Sequence, residues 1–303
     1  MATQTAFSQA ASTQVTEAFF NGIGDATKAM EQMEKVVQVD RDDVASLKKA
    51  AMQGITTVKA WDGVSDPASV GGTLASVSSS YQQSVNYSMF MLNVRLPSHD
   101  VMDIGNLVSE SARKLGFAVS NSVVGQGWGQ VVKAWTHDAA NGKPPIDSAI
   151  PIPGDSSTFD NKETTTLDAA ALADALTRLR RFKDLEGETY DAALGEIALV
   201  VPPELEKTAL ELVAPAFSGS DLSANFFASY NLTVVSSPYL SDQNDWALIP
   251  VNSTPIRLWL REAPIVTQYT DPATNTLNLR VQCAMASYFM PPGYQNIVGN
   301  TPA

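Results

Sequence analysis

Beyond residue 255 the chain alternates apolar and polar positions with a period of two. Ile256, Leu258 and Leu260 fall on one side and Arg257, Trp259 and Arg261 on the other, and Leu277, Leu279, Val281, Cys283 and Met285 then alternate with Asn278, Arg280, Gln282 and Ala284. Successive strand residues point to opposite faces, so this spacing predicts two half-buried strands, joined by the turn-forming residues 271–275. The same alternation of Phe90, Leu92, Val94 and Leu96 with Met91, Asn93 and Arg95 predicts a strand over 86–96. Residues 197–201 form a continuous apolar run of strand length. Pro203, followed by Glu204 and Glu206, then opens a helix that continues through Leu210 and Val213 to about residue 215. Proline suits a first turn, and acids suit the positive end of the helix dipole. Two further strands are expected at 231–236 and 246–251, with the acidic link 241–245 read as a turn.

Helical spacing dominates elsewhere. Asp25 is placed to cap a segment carrying Ala26, Met30, Met33 and Val37, and Asp42 to cap another running toward Met52. After Pro97, with Ser98 or Asp100 as cap, the positions Ile104, Val108, Ala112, Leu115 and Val119 mark one face of a long helix. The glycines of Gly125-Gln-Gly127-Trp-Gly129 are expected to terminate it, since they fit neither a dinucleotide nor a Walker phosphate loop. Leu172, Leu176 and Leu179 predict a further amphipathic helix carrying Arg178, Arg180 and Arg181, with Lys183 just beyond, which is the densest basic cluster. A solvated or subunit-pairing face explains so short a run better than DNA contact.

Residues 54–96 have a different texture, β-branched and Ser-rich. They read as a long hairpin with arms at 54–61 and 86–96 and a Gly- and Ser-rich tip between. A two-stranded ribbon is marginal in water by itself, so this one needs a surface to pack on, and a neighbouring subunit would supply it.

Composition narrows the function. With 303 residues, 44% of them hydrophobic, the chain can bury a sizeable core in one large domain or two moderate ones. A formal net charge of −12 argues against a protein built to grip nucleic acid, which requires Lys and Arg to displace condensed counterions. No apolar run approaches the roughly 20 residues that span a bilayer, and the amino-terminal residues lack the pattern of a secretory signal, so synthesis in a cytoplasm is expected. On that ground the Asn-x-Ser/Thr triplets at Asn86, Asn231 and Asn252 are read as chance. The single Cys283 leaves no intrachain disulfide and no thiolate cluster, and on an apolar strand face it reads as a buried inert thiol. Asp40-Arg-Asp-Asp43 lacks the Gly and Glu of a calcium loop and is read as a solvated turn. Only His99 and His137 are present, no nucleophile-elbow, zinc-binding or phosphate-loop motif occurs, and no carboxylate pair stands out, so no catalytic, cofactor or metal residue is assigned.

The runs Leu199-Val-Val-Pro-Pro-Glu-Leu-Glu206, Asn231-Leu-Thr-Val-Val-Ser-Ser-Pro-Tyr-Leu240 and Asp245-Trp-Ala-Leu-Ile249 resemble the Mu-type major head subunit of tailed phages. That resemblance implies an α+β, Hong Kong 97-type capsid fold: a helical arm (1–53), an E-loop hairpin (54–96), a peripheral domain with a long spine helix (97–184), an axial domain (185–251), and return strands with a tail (252–303). It implies a major capsid protein of the virion, made in the bacterial cytoplasm and assembled as pentamers and hexamers. The shell would enclose double-stranded DNA without binding it tightly, with scaffold, portal and decoration proteins as further partners and no membrane. Contacts between copies are expected at Trp61, Tyr81, Tyr87, Arg95, Arg257 and Arg261. An encapsulin-like compartment around cargo protein is the nearest rival, and an unrelated soluble enzyme the more distant one.

Overall fold

The computed structural model describes residues 2–41, 47–52, 79–103, 106–151, 158–183, 189–214, 226–251, 253–271, 273–290 and 296–300. In chain order the first elements are helices α1 (Ala2–Gly24) and α2 (Thr27–Glu34) and strands β1 (Gln38–Asp40), β2 (Leu47–Met52), β3 (Ser79–Val85) and β4 (Ser88–Pro97). Helices α3 (Ser98–Asp103) and α4 (Leu107–Lys133) follow, then short strands β5 (Ile150–Pro151), β6 (Thr158–Phe159) and β7 (Lys162–Glu163), and helix α5 (Ala169–Leu179). Next come β8 (Phe182–Lys183), β9 (Thr189–Tyr190), β10 (Ile197–Val201), α6 (Glu206–Val213), β11 (Leu232–Ser236) and β12 (Ala247–Pro250). The long strands β13 (Ile256–Asp271) and β14 (Thr276–Phe289) and the short β15 (Val298–Asn300) close the order.

Among the described residues two larger sheets organise the molecule. One runs β1-β13-β14-β4, the other β11-β10-β12-β15-β7. The predicted alternation of β13 and β14 is realised as an antiparallel pair, with the turn closed by Asn275 at a positive φ of 48°. Leu258, Leu279, Val281, Cys283 and Met285 face a core shared with α1, α2 and α4, and burial holds the Cys283 thiol above its ordinary pKa. In the second sheet β10 is buried along its whole length. Ala198 and Val200 look into that same core, whereas Ile197, Leu199 and Val201 look the other way, toward α5. A strand covered on both faces has no need for polar alternation, which is why 197–201 is apolar throughout. Helix α5, expected from Leu172, Leu176 and Leu179, starts after Asp168, which caps it by accepting a 2.7 Å hydrogen bond from the Ala171 amide.

Four sequence expectations are corrected. The long helix does not stop at residues 125–129 but runs to Lys133, with Gly127, Trp128 and Val131 buried. At Gly127 the Met33 side chain occupies the space a Cβ would take, so this glycine admits a neighbour instead of breaking the helix. Asp25 does not cap α2; it pairs with Arg113 of α4 at 2.8 Å, and that contact holds its carboxyl below the usual carboxylate range. The segment toward Met52 is strand β2, not a helix. Finally, residues 86–96 are not an arm of the hairpin. Strand β4 pairs with β14 from Ser88 to Pro97, while the ribbon consists of β2 and β3, registered Leu47 to Val85. The residues of β4 alternate as cleanly as any hairpin arm, and alternation alone does not say which strand is the partner. The strand expected at 54–61 lies outside the described residues.

Candidate assembly interface

The ribbon β2–β3 pairs only with itself among the described residues. Its two ends return to one small patch on the face of the β1-β13-β14-β4 sheet that points away from the core. On the leading side, Asp40 ends β1 beside Trp259 in parallel register. Its carboxylate accepts a short hydrogen bond from the Tyr288 hydroxyl and lies 3.6 Å from Nη1 of Arg257, both partners of this ion pair being largely buried. On the trailing side, Val85 at the end of β3 packs with Trp259 and Tyr288, both buried. Two residues later the Tyr87 ring meets Trp259 edge-on, centroids 6.1 Å apart, and carries the Arg261 guanidinium 4.2 Å above its own centroid.

Alternation along β13 puts Arg257, Trp259 and Arg261 on this face, and the register of the strand pair changes at the last of them. Leu260 pairs with Met285 and Glu262 with Ala284, so β13 carries one residue more than its partner at Arg261, a β-bulge, and a second irregularity follows before Ile265. Bulges bend a strand and re-aim a side chain, and Pro264, which lacks an amide proton, is tolerated at such an irregular stretch. Stacking Tyr87 on Trp259 is worth about 1 kcal/mol, and a guanidinium over the ring about as much again.

Of the six residues expected at an interface between copies, the structure therefore brings three together: Tyr87, Arg257 and Arg261. Arg95 is exposed on β4, the edge strand of that sheet, and Tyr81 belongs to β3. Trp61 lies outside the described residues. The sequence reading missed Asp40, Trp259 and Tyr288. Asp40, expected in a solvated turn, directly follows the apolar Val36, Val37 and Val39 and ends strand β1.

Other candidate chemistry resolves into structural contacts. In the basic cluster, Arg178 reaches Asp160 and Glu163, each at 2.7 Å, and Arg180 reaches Asp191 at 3.1 Å. His99 pairs with the neighbouring Asp100 in α3, and His137 with Thr136 beyond the end of α4. The 27 residues of α4 between them make a rod about 40 Å long. Among the described residues no group of acids, histidines or cysteine is placed to hold a metal ion, and no helix is long and apolar enough to cross a membrane.

A sequence profile described as phage capsid protein matches residues 98–290, more than half of the chain. The chain belongs to the phage capsid protein family. No curated protein sequence matches it. Solved structures carry the same fold at low identity. The mature capsid of bacteriophage PhiM1 aligns with a TM-score of 0.56 at 14% identity, over 89% of this chain and 86% of that one. A virus-like particle from Pyrococcus furiosus gives 0.55 at 11%, over 94% and 96%, and the procapsid of bacteriophage JBD30 gives 0.54 at 13%, over 98% and 76%. The fold is the α+β, Hong Kong 97-type capsid fold, and the protein is a structural one, a major capsid protein that self-assembles into a shell. The rival compartment around cargo protein is not favoured by a family match to phage capsids.

Proposed function

We propose that copies of this capsid protein form a closed icosahedral shell of pentamers and hexamers around double-stranded DNA, with the ribbon β2–β3 of each copy lying across the next. The ribbon carries this reading. It has no third strand among the described residues, and two strands alone are marginally stable in water. A neighbouring copy supplies the missing surface. A net charge of −12 suits a wall that confines DNA without adhering to it, because adhesion would require a counterion-displacing basic surface. Assembly in the bacterial cytoplasm, with scaffold, portal and decoration proteins as partners, completes the reading.

Replacing residues 47–84, which carry both strands of the ribbon, by a short Gly-Ser link tests it. The shortened protein should fold, run as a monomer on a sizing column and form no shells by negative-stain imaging. Shells of normal size and number from that variant would rule the ribbon out as the joining element.

A further inference from the structure

We infer that the patch formed by Asp40, Arg257, Tyr288, Trp259, Arg261 and Tyr87 is a clasp that fixes the direction in which the ribbon leaves the subunit, and through that direction the curvature of the shell. The inference rests on the reading that the ribbon lies across a neighbouring copy.

The chain is anchored before and after the ribbon on neighbouring residues of the paired strands β13 and β14: Arg257, Trp259 and Arg261, with Tyr288 opposite Arg257. Asp40, six residues after α2 and seven before β2, is fixed to Arg257 and Tyr288. Tyr87, midway between β3 and β4, is fixed to Trp259 and Arg261. A ribbon tethered at one end could swing about its connecting residues. Tyr87 follows the ribbon almost directly, so at that end the ribbon changes angle only if Tyr87 peels from Trp259 and Arg261, while Asp40, on the chain leading into the ribbon, is anchored on the same part of the sheet. Only Asn86 and Tyr87 separate β3 from β4, and β4 is locked into the sheet by its pairing with β14. Rotation at the trailing end must therefore pass through Tyr87.

The bulge supports a positioning role over simple packing. It interrupts the register of the longest strand pair in the molecule at the residue that contacts Tyr87. The core side of β13 does not require that irregularity: Ile256 and Leu258 are already buried before it. The irregularity falls at Arg261, whose guanidinium lies over the Tyr87 ring, a contact that depends on ring position and holds Tyr87 in one orientation. A ribbon held in one orientation presents its neighbour at one angle, and a closed shell of uniform size requires that angle to repeat.

The test compares four full-length proteins expressed in bacteria: the unaltered chain, Tyr87→Ala, Tyr87→Phe and Arg261→Gln. For each, amide hydrogen exchange over residues 79–88 and the distribution of shell diameters are measured. Tyr87→Ala and Arg261→Gln should speed exchange in this segment at least tenfold and at least double the spread of diameters, or yield only open sheets. Tyr87→Phe, which keeps the ring, should match the unaltered chain in both. A merely structural role would lower thermal stability without broadening the diameters. Should Tyr87→Ala fail to fold, Arg261→Gln carries the same two readouts with the ring in place. Shells of normal diameter and spread from Arg261→Gln would overturn the clasp. The 47–84 replacement run alongside separates the two ideas: if it blocks shells while the clasp variants assemble normally, only the clasp falls, and if it assembles normally, the ribbon reading falls first.

Discussion

Gly116 lies directly beneath the backbone of Phe19: a Cβ at position 116 would sit 2.1 Å from the Phe19 carbonyl oxygen. The reciprocal contact occurs one turn away, where a Cβ on Gly22 would sit 2.0 Å from the carbonyl oxygen of Arg113. Helices α1 and α4 thus cross antiparallel with backbone against backbone, flanked by the buried Val15, Phe19, Ala112, Leu115 and Val119. Contacts so short cannot be relieved by a side-chain rotation, so the helices would have to separate.

Gly116→Ala should therefore lower stability by about 2 kcal/mol or more, the cost of overpacking exceeding the helix-propensity gain. Gly129→Ala on the same helix is the counterpart. Nothing lies within 4 Å of its added methyl, so stability should rise by roughly 0.5–1 kcal/mol. Urea unfolding of dissociated subunits measures both; equal effects would contradict the close crossing.

Asp245 is a second point of leverage. Its Oδ1 is buried without a hydrogen-bond partner, and burial, with a smaller push from Asp242, raises its pKa from 3.8 to about 6. A raised folded pKa means that the native state holds a proton the unfolded chain has released. Stability from this group therefore increases as pH falls from about 6 toward 4, and the penalty is complete above 6. Asp245→Asn should stabilise the subunit at pH 8 by about 1 kcal/mol after solvent screening, and by little at pH 4. Thermal unfolding at the two pH values would show whether the gain disappears.

Arg178 neutralises the buried Glu163, whose carboxyl is pushed upward by burial even with that partner present. Arg178→Met should cost about 3 kcal/mol at pH 8, because an uncompensated charge remains inside. The cost should shrink as pH falls, because burial favours the protonated form of Glu163. A loss independent of pH would mean that packing of the arginine stem, not its charge, is what matters.

Two buried asparagines tie distant segments together. Asn161 donates to the carbonyls of Pro145 and Ile297 and accepts from the Asp147 amide. Asn300 accepts from the Trp246 amide and donates to the carbonyls of Thr165 and Asn244. Replacing either by Ala leaves three groups unpaired and should cost on the order of 3 kcal/mol. Destabilisation below 1 kcal/mol by chemical denaturation would show that water replaces the amide.

Period-two alternation made β4, β13 and β14 legible in the sequence, and the apolar run with its Pro-Glu start made β10 and the helix after it legible. What pattern could not supply was partnership. Ser88–Pro97 looked like a hairpin arm because its alternation is equally satisfied by any strand that covers its apolar side; the choice of β14 is made by the shared core. Glycines at 125–129 looked like a helix end because propensity disfavours them, and they are kept because Met33 packs where a side chain would be. At the candidate interface, Tyr87, Arg257 and Arg261 were picked out individually. Alternation already puts Arg257 and Arg261 on one face, but their meeting with Asp40 and Tyr87 joins far parts of the chain and has no local signature.

Strand β15 enters the second sheet between β12 and β7, and its Asn300 bonds to Thr165, 135 residues earlier. At about 5–20 residues per second of synthesis, β7 emerges about 7 to 27 seconds before the strand that must lie beside it exists. Once β12 has followed, its edge is open and the Trp246 amide lacks its acceptor until the last strand arrives about fifty residues later. The order of manufacture thus acts as a timer: a half-made subunit carries an unfinished sheet, and the geometry that neighbours could recognise is completed only after Val298–Asn300 has slotted home.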